Sequence, residues 1–139
     1  MREAKLTATQ LKRIHKALAA VPYAALLGIE LEHIGRGIAT LGMPVRKELT
    51  QNHGVVHGGA VASLIDSAMA FAIMPLLATR ERVTTVDLTI SYLRPVTEGR
   101  MISTAKVVRA GRRLIVVSAE VFDHDGTLTA TALSTYIKL

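Results

Sequence analysis

The stretch QNHGVVHGG, residues 51–59, and the apolar run that follows it to about Ala78 decide the fold of this chain. Two adjacent glycines open a run of Ala, Val, Leu, Ile, Met and Phe that is long enough for a helix of about 20 residues, roughly 30 Å long. Asp66 is the only charged residue in that run. The pattern predicts a loop that delivers backbone N–H groups to the start of a buried helix.

This apolar run also has to be compared with a membrane span, because a bilayer needs roughly 20 apolar residues. Asp66 near the centre would cost several kcal/mol in lipid, and Ser63 and Pro75 weaken a span further. Strongly alternating segments follow, and only a packed core explains them. We therefore expect no membrane partner and a core helix that other elements cover on nearly all sides.

Composition limits the function classes. At 139 residues the chain is predicted to be a single domain, with a helical extension at 1–22 and a core at 28–139. The net charge of +6 favours anionic partners, but two Phe, three Tyr and no Trp cannot stack widely on bases, so we expect no nucleic acid. The absence of Cys excludes disulfides and thiolate chemistry. Without an apolar signal region, a cytoplasmic location is expected.

The N-terminal region is predicted to be an amphipathic helix from about Thr7 to Ala20, with Thr7 as a candidate N-cap and Pro22 ending the segment. Its basic residues could touch DNA, but one short helix without a companion has nothing to orient it in a groove. The alternation in 28–43, interrupted by Gly35-Arg36-Gly37, predicts a hairpin.

Four strand-like segments follow the central helix, at 85–92, 101–108, 114–122 and 128–139. Short turns between them predict an antiparallel meander. Strands of eight to eleven residues extend roughly 25–35 Å, which matches the central helix in length. A curved antiparallel sheet wrapped lengthwise around that helix buries both, so the predicted fold class is α+β.

One side of the central helix carries small residues at helical spacing, and Asp66 lies among them. This side leaves space for a ligand or another backbone; alternatively, the helix is merely Ala-rich. The residues on it are Gly59, Ala62, Ser63, Asp66 and Ala70.

The motif Gln51-x5-His57-Gly58-Gly59-x4-Leu64-x-Asp66, followed by Thr85-Val86-Asp87 and Tyr92-Leu93-Arg94-Pro95, resembles the hotdog-fold acyl-CoA thioesterases, and specifically the phenylacetyl-CoA thioesterase-like group. The resemblance covers residues 28–139. It implies a hotdog fold and the hydrolysis of acyl-CoA thioesters, with coenzyme A as part of the substrate and no cofactor or metal. It also implies a homo-oligomer, either a dimer or a dimer of dimers.

The resemblance assigns two central roles. Asp66 corresponds to the nucleophile, or to the general base that activates water against the thioester carbonyl, and the Gly58 N–H polarises the carbonyl oxygen. Elementary chemistry agrees, because a helix N-terminus presents N–H groups and partial positive charge to an oxygen that becomes negative. A thioester is already activated, so a carboxylate and water suffice.

Supporting roles follow from the same resemblance. Gln51 orients the carboxylate, water or thioester, with Asn52 as the candidate if the loop register differs, and Thr85 holds the attacking water. For His57 two roles remain open, shaping the loop by hydrogen bonding or touching the substrate. Gly59 and Ser63 on the small-residue side are predicted substrate contacts.

The spacing of Gly58 and Asp66 adds an expectation about assembly. Eight positions separate them, or roughly 12 Å along one helix, although both must lie about 3 Å from neighbouring atoms of one carbonyl. We therefore expect a twofold interface at which Gly58 and Gln51 of one subunit face Asp66 and Thr85 of the other.

The phosphates of coenzyme A would account for part of the basic charge. Arg94 and the pair Arg112 and Arg113 are the predicted phosphate contacts, since guanidinium groups pair well with phosphate. By charge alone, other residues are equally eligible: Arg80, Arg82, Arg109 and Lys138.

Other site types fit less well. A Ser-His-Asp hydrolase with a Gly-x-Ser-x-Gly elbow is excluded because that motif is absent. His53, His57 and Asp66 are the conceivable metal ligands, but i, i+4 spacing has no fixed meaning in a loop. The alternative from another class is a non-catalytic acyl-CoA or lipid-binding hotdog module. The set of Gln51, Gly58, Asp66 and Thr85 favours the enzyme.

Overall fold

The computed structural model describes residues 5–139 and contains three α-helices and six strands. The helices are α1 (Ala8–Ala19), α2 (Pro22–Leu27) and α3 (Gly58–Ile73). The strands are β1 (Glu30–Gly35), β2 (Ile38–Pro44), β3 (Val83–Tyr92), β4 (Arg100–Ala110), β5 (Leu114–Phe122) and β6 (Leu128–Lys138). Short 3₁₀ turns occupy Lys47–Leu49 and Met74–Leu76. The predicted helices, hairpin and strands are therefore present with bounds close to those expected.

All six strands form one antiparallel curved sheet in the order β1-β2-β4-β5-β6-β3. The predicted four-stranded meander is wrong in one respect, because β3 pairs with β6 rather than with β4. Seven residues, 93–99, connect β3 to β4, and they can span the roughly 14 Å across three strand spacings. β3 therefore lies at one edge of the sheet.

The helix α3 packs lengthwise on the sheet, against β2, β4 and β5 in particular. Its sheet side is fully apolar and buried, with Leu64, Ile65, Ala68, Met69 and Ala72 each less than 1% exposed. By length and composition Gly58–Leu76 could cross a membrane, with a mean hydropathy of 1.6. Because the sheet covers this side, the structure supports the core-helix interpretation of the run.

The opposite side of α3 is the small-residue side, and the sheet leaves it open. Ala62, Ser63, Asp66 and Ala70 are half-buried and Gly59 is exposed. The predicted asymmetry of the helix is confirmed. Asp66 is therefore half-buried beside the edge strand β3 rather than inside the core.

The N-terminal region contains a second helix that the sequence reasoning missed. Thr7 caps α1 as expected, through a reciprocal pair of hydrogen bonds with Gln10. Pro22 does not end the segment but begins α2, because proline is well tolerated at the first position of a helix. Gly28, at φ 74°, ends α2 in the left-handed region. The division of the chain into an extension at 1–22 and a core at 28–139 stays a prediction.

Candidate active site

The loop before α3 fixes the start of the helix. A bridge between Thr50 and Val56 closes the loop, and the His57 N–H donates to the Leu49 carbonyl oxygen at 2.8 Å. His57 Nδ1 accepts a hydrogen bond from the Gly59 N–H at 2.8 Å. His57 is therefore the N-cap of α3, which favours its loop-shaping role over direct contact with a substrate.

The N–H of Gly58, at the first position of the helix, donates to no other group among residues 5–139. The Gly58 carbonyl oxygen accepts a hydrogen bond from the Tyr92 hydroxyl at 2.8 Å. This bond joins the end of β3 to the start of α3. A helix N-terminus with an uncommitted N–H suits a developing oxyanion.

A cavity of about 320 Å³ lies beside this helix start. Three predicted site residues, Gln51, Gly58 and Arg94, line it together with Tyr92 and Thr129. The side-chain oxygen of Gln51 accepts a hydrogen bond from the His53 N–H within the loop. Its amide nitrogen is the group that remains to donate toward a ligand.

The carboxylate of Asp66 is held by two hydroxyl groups. Thr85 Oγ1 donates to Asp66 Oδ1 at 3.0 Å, and the Tyr136 hydroxyl donates to the same oxygen at 2.5 Å. The Tyr136 hydroxyl also lies 3.0 Å from the Asp66 carbonyl oxygen. Within residues 5–139 Oδ2 has no hydrogen-bond partner. One carboxylate oxygen is thus fixed, and the other can accept a hydrogen bond from a further group, because Asp66 is only half-buried.

Tyr136 is a site residue that the sequence reasoning missed. It lies on β6 directly opposite Thr85 in the sheet register, and it is only 2% exposed. Burial and the hydrogen bond to Asp66 raise the pKa of the Tyr136 hydroxyl, so it stays a donor at neutral and mildly alkaline pH. The signal that could have found it is the β3–β6 pairing, which no local pattern contains.

A bulge in β3 aims Thr85 at the helix. The pairing of β3 with β6 shifts register between Thr85 and Asp87, and the Asp87 carboxylate accepts the Thr135 N–H at 3.0 Å. Bulges re-aim side chains next to functional sites. Both polar residues of Thr85-Val86-Asp87 therefore make hydrogen bonds within the fold: Thr85 bonds to Asp66, and Asp87 bonds to Thr135.

The remaining predicted contacts are more dispersed. Asn52 is exposed at the loop tip and does not line the cavity. The Gly59 N–H is engaged by His57, and the Ser63 hydroxyl donates to the Gly59 carbonyl oxygen and lies 2.8 Å from the Tyr23 hydroxyl. These three residues form the surface around the helix start rather than the cavity itself.

The predicted phosphate contacts lie at opposite ends of β3 within one chain. Arg94 follows the end of β3, beside Thr129. Arg112 and Arg113 lie in the β4–β5 turn, where the Arg113 carbonyl oxygen accepts the Lys138 N–H near the start of β3. One chain alone does not bring these arginines together.

No metal centre accompanies these groups in the described part of the chain. Among residues 5–139, His, Asp and Glu side chains form no cluster of three that could hold a metal ion. The chemistry available in one chain is therefore an uncommitted helix N–H at Gly58 and, two turns further along, a carboxylate held by Thr85 and Tyr136.

The sequence pattern of the Thioesterase superfamily matches residues 53–130. The medium/long-chain acyl-CoA thioesterase YigI of Salmonella typhimurium is 30% identical over 132 residues, a match that covers 84% of this chain and 85% of the relative. A thioesterase family protein of Silicibacter pomeroyi superposes with a TM-score of 0.84 at 31% identity, over 94% of this chain and 98% of that one.

The PaaI protein of the E. coli phenylacetic acid degradation operon superposes with a TM-score of 0.87, over 97% of this chain and 96% of that one. At 24% identity this likeness shows the fold alone, and that fold is the hotdog arrangement of a helix wrapped by a curved sheet. The resemblance drawn from residues 51–66 is confirmed. This chain belongs to the thioesterase superfamily and is a thioester hydrolase with the hotdog fold.

Proposed function

We propose that the protein hydrolyses acyl-CoA thioesters to free acid and coenzyme A at sites shared by two subunits. The observation that carries this proposal is the position of the two half-sites along β3. Thr85, near the start of the strand, is bonded to Asp66, and Tyr92, at its end, is bonded to Gly58. The Asp66 carboxylate and the Gly58 backbone are therefore held at opposite ends of one edge strand.

The edge strand is well suited to pairing with a copy of itself. β3 is ten residues long and lies at the edge of the sheet, and Val86, Tyr92 and Leu93 are each more than half exposed. A long edge strand with exposed apolar side chains is a template for another strand. Twofold pairing is antiparallel and places the Thr85 end of one β3 beside the Tyr92 end of the other. Asp66 of one subunit then faces Gly58 of the next.

The proposed mechanism uses each group for one task. The Gly58 N–H and the N-terminal end of α3 stabilise the oxygen of the tetrahedral intermediate. In one route Asp66 Oδ2 accepts a proton from the attacking water, and the tetrahedral intermediate expels the coenzyme A thiolate. In the other route Oδ2 attacks the carbonyl itself, the thiolate leaves, and water then hydrolyses the resulting acyl-Asp66 anhydride to the free acid. Gln51 and Thr85 position the reactants. No cofactor is part of this proposal.

The same pairing explains the arrangement of the arginines. Arg94 of one subunit comes to the end of the interface where Arg112 and Arg113 of the other lie, so the three could serve one coenzyme A. We extend the proposal to these phosphate contacts, to a dimer or a dimer of dimers, and to a cytoplasmic location.

The direct experiment is a thiol-release assay with phenylacetyl-, hydroxybenzoyl- and medium-chain acyl-CoA. We expect turnover of at least one of these substrates by the wild-type protein. Binding without release of free thiol from any of them would instead support the non-catalytic module.

Tyr136 is proposed as a positioning residue for Asp66. Replacing it by Phe keeps the buried volume but removes a hydrogen bond to a carboxylate, so kcat should fall about 10- to 100-fold while KM stays within about threefold. Steady-state kinetics on the best substrate measures this split. Thr104→Val, which removes a half-buried hydroxyl that pairs with Thr40 on neighbouring strands away from the site, is the control, and melting temperatures establish that both variants are folded. An unchanged kcat for Tyr136→Phe contradicts the role.

A further inference from the structure

A second cavity lies between α1, the end of α3 and the start of β3. Its volume is about 420 Å³, within the range of roughly 300–1,000 Å³ that small-molecule sites occupy. Apolar side chains line most of it, namely Ala17, Ala70, Met74, Leu77, Ala78 and Val83. The other lining residues are polar or charged, namely Arg13, Thr79, Glu81 and Arg82; Arg13, Thr79 and Arg82 are solvent-exposed and Glu81 is half-buried. We call this space the α1 cavity.

The α1 cavity lies next to the Asp66–Thr85 pair along both α3 and β3. Ala70 lies four residues after Asp66 on α3, and therefore on the next turn of the same helix side, about 6 Å away. Val83 lies two residues before Thr85 on β3, and therefore on the same side of the strand, about 7 Å away. Ala70 and Val83, which belong to two walls of the cavity, are thus the next residues on the same side of α3 and β3 after Asp66 and Thr85.

We propose that the α1 cavity holds the alkyl chain of a linear aliphatic acyl thioester. This inference rests on the proposed function and adds the substrate class. A thioester carbonyl at Asp66 places its acyl group at the entrance between Ala70 and Val83. Among residues 5–139 no aromatic ring lines the cavity, and the lining combines small alanines with the flexible Met74, which accommodates a bending chain. The helix α1 thereby becomes a determinant of chain length.

The first test changes the size of the cavity and measures chain-length preference. Ala17→Leu fills the α1 cavity from α1, whereas Ala19→Leu adds the same side chain at an exposed position two residues away. The ratio of kcat/KM for octanoyl-CoA to that for acetyl-CoA should fall at least tenfold in Ala17→Leu and stay within threefold in Ala19→Leu, because one methylene in an apolar pocket changes specificity about tenfold or more. Equal ratios in the two variants overturn the proposal.

The second test detects occupancy without catalysis. S-octyl-coenzyme A, a thioether that cannot be hydrolysed, is titrated into protein with ¹³C-labelled methionine methyl groups. We expect the Met74 methyl resonance to shift, while Met43 and Met101, both fully buried in the core, do not. An unmoved Met74 signal at saturation overturns the proposal, including the case in which a partner subunit fills the cavity.

The two proposals fail separately. If the wild-type protein releases no thiol from any acyl-CoA, the proposed function is wrong, whatever the Met74 resonance does. If it releases thiol but the octanoyl preference is the same in Ala17→Leu and Ala19→Leu, the hydrolase proposal stands and the α1 cavity assignment is wrong.

Discussion

Asp66→Asn is expected to lower kcat by about 10²–10⁴-fold on every acyl-CoA that the wild-type protein hydrolyses, because a positioned general base contributes that much. An amide has nearly the size of a carboxylate, and its oxygen can still accept the hydrogen bonds from Thr85 and Tyr136. The variant should therefore fold normally and bind substrate. It lacks only a basic or nucleophilic oxygen, and the rate of free thiol release measures that loss.

A charge change elsewhere on the surface is the control for this experiment. Asp125→Asn removes an exposed carboxylate from the β5–β6 turn and should leave kcat within about threefold. If Asp66→Asn retains activity within the same threefold range, Asp66 is neither base nor nucleophile. The carboxylate would then have only a structural task, joining α3 to β3 and β6 through Thr85 and Tyr136.

Local patterns in the sequence predicted the groups that lie close together in the chain. The glycine pair, the helix start and Asp66 lie within nine residues, 58–66, and helical periodicity alone places Asp66 on the small-residue side. The alternation in β3 likewise predicted the strand that carries Thr85. These features depend on backbone geometry that repeats every two or 3.6 residues, so no tertiary information was needed.

Pairing between distant strands could not be predicted in the same way. The β3–β6 ladder joins residues 38 to 55 positions apart, and its register alone brings Tyr136 beside Thr85 and Asp66. Short turns favoured the neighbouring strands as partners, which is why a meander was expected. The edge position of β3, on which the shared site depends, follows from that non-local choice.

The second large effect concerns the other half-site. Gly58→Pro removes the N–H at the first position of α3, where proline is compatible with helix geometry, so kcat should fall about 10²–10³-fold. A Cβ at this position would lie 3.3 Å from the Tyr92 ring. Gly58→Ala adds that same Cβ but keeps the N–H, so it is the matched control. The difference in thiol-release kcat between these two variants isolates the oxyanion donor.

Mixing Asp66→Asn chains with Gly58→Pro chains distinguishes a shared site from a site within one chain. In a mixed dimer one site combines both changes, whereas the other receives Asp66 and Gly58 unaltered, from different subunits. Random exchange makes about half of the dimers mixed, so about one quarter of the wild-type activity should return.

Asp66→Asn chains mixed with Asp66→Ala chains control for the exchange procedure, since no intact pair can form. If mass spectrometry of intact complexes finds mixed dimers and activity stays at the level of the separate variants, each chain acts alone. The edge pairing of β3 would then have to be abandoned as the basis of the site, because the groups at its two ends would not meet across subunits.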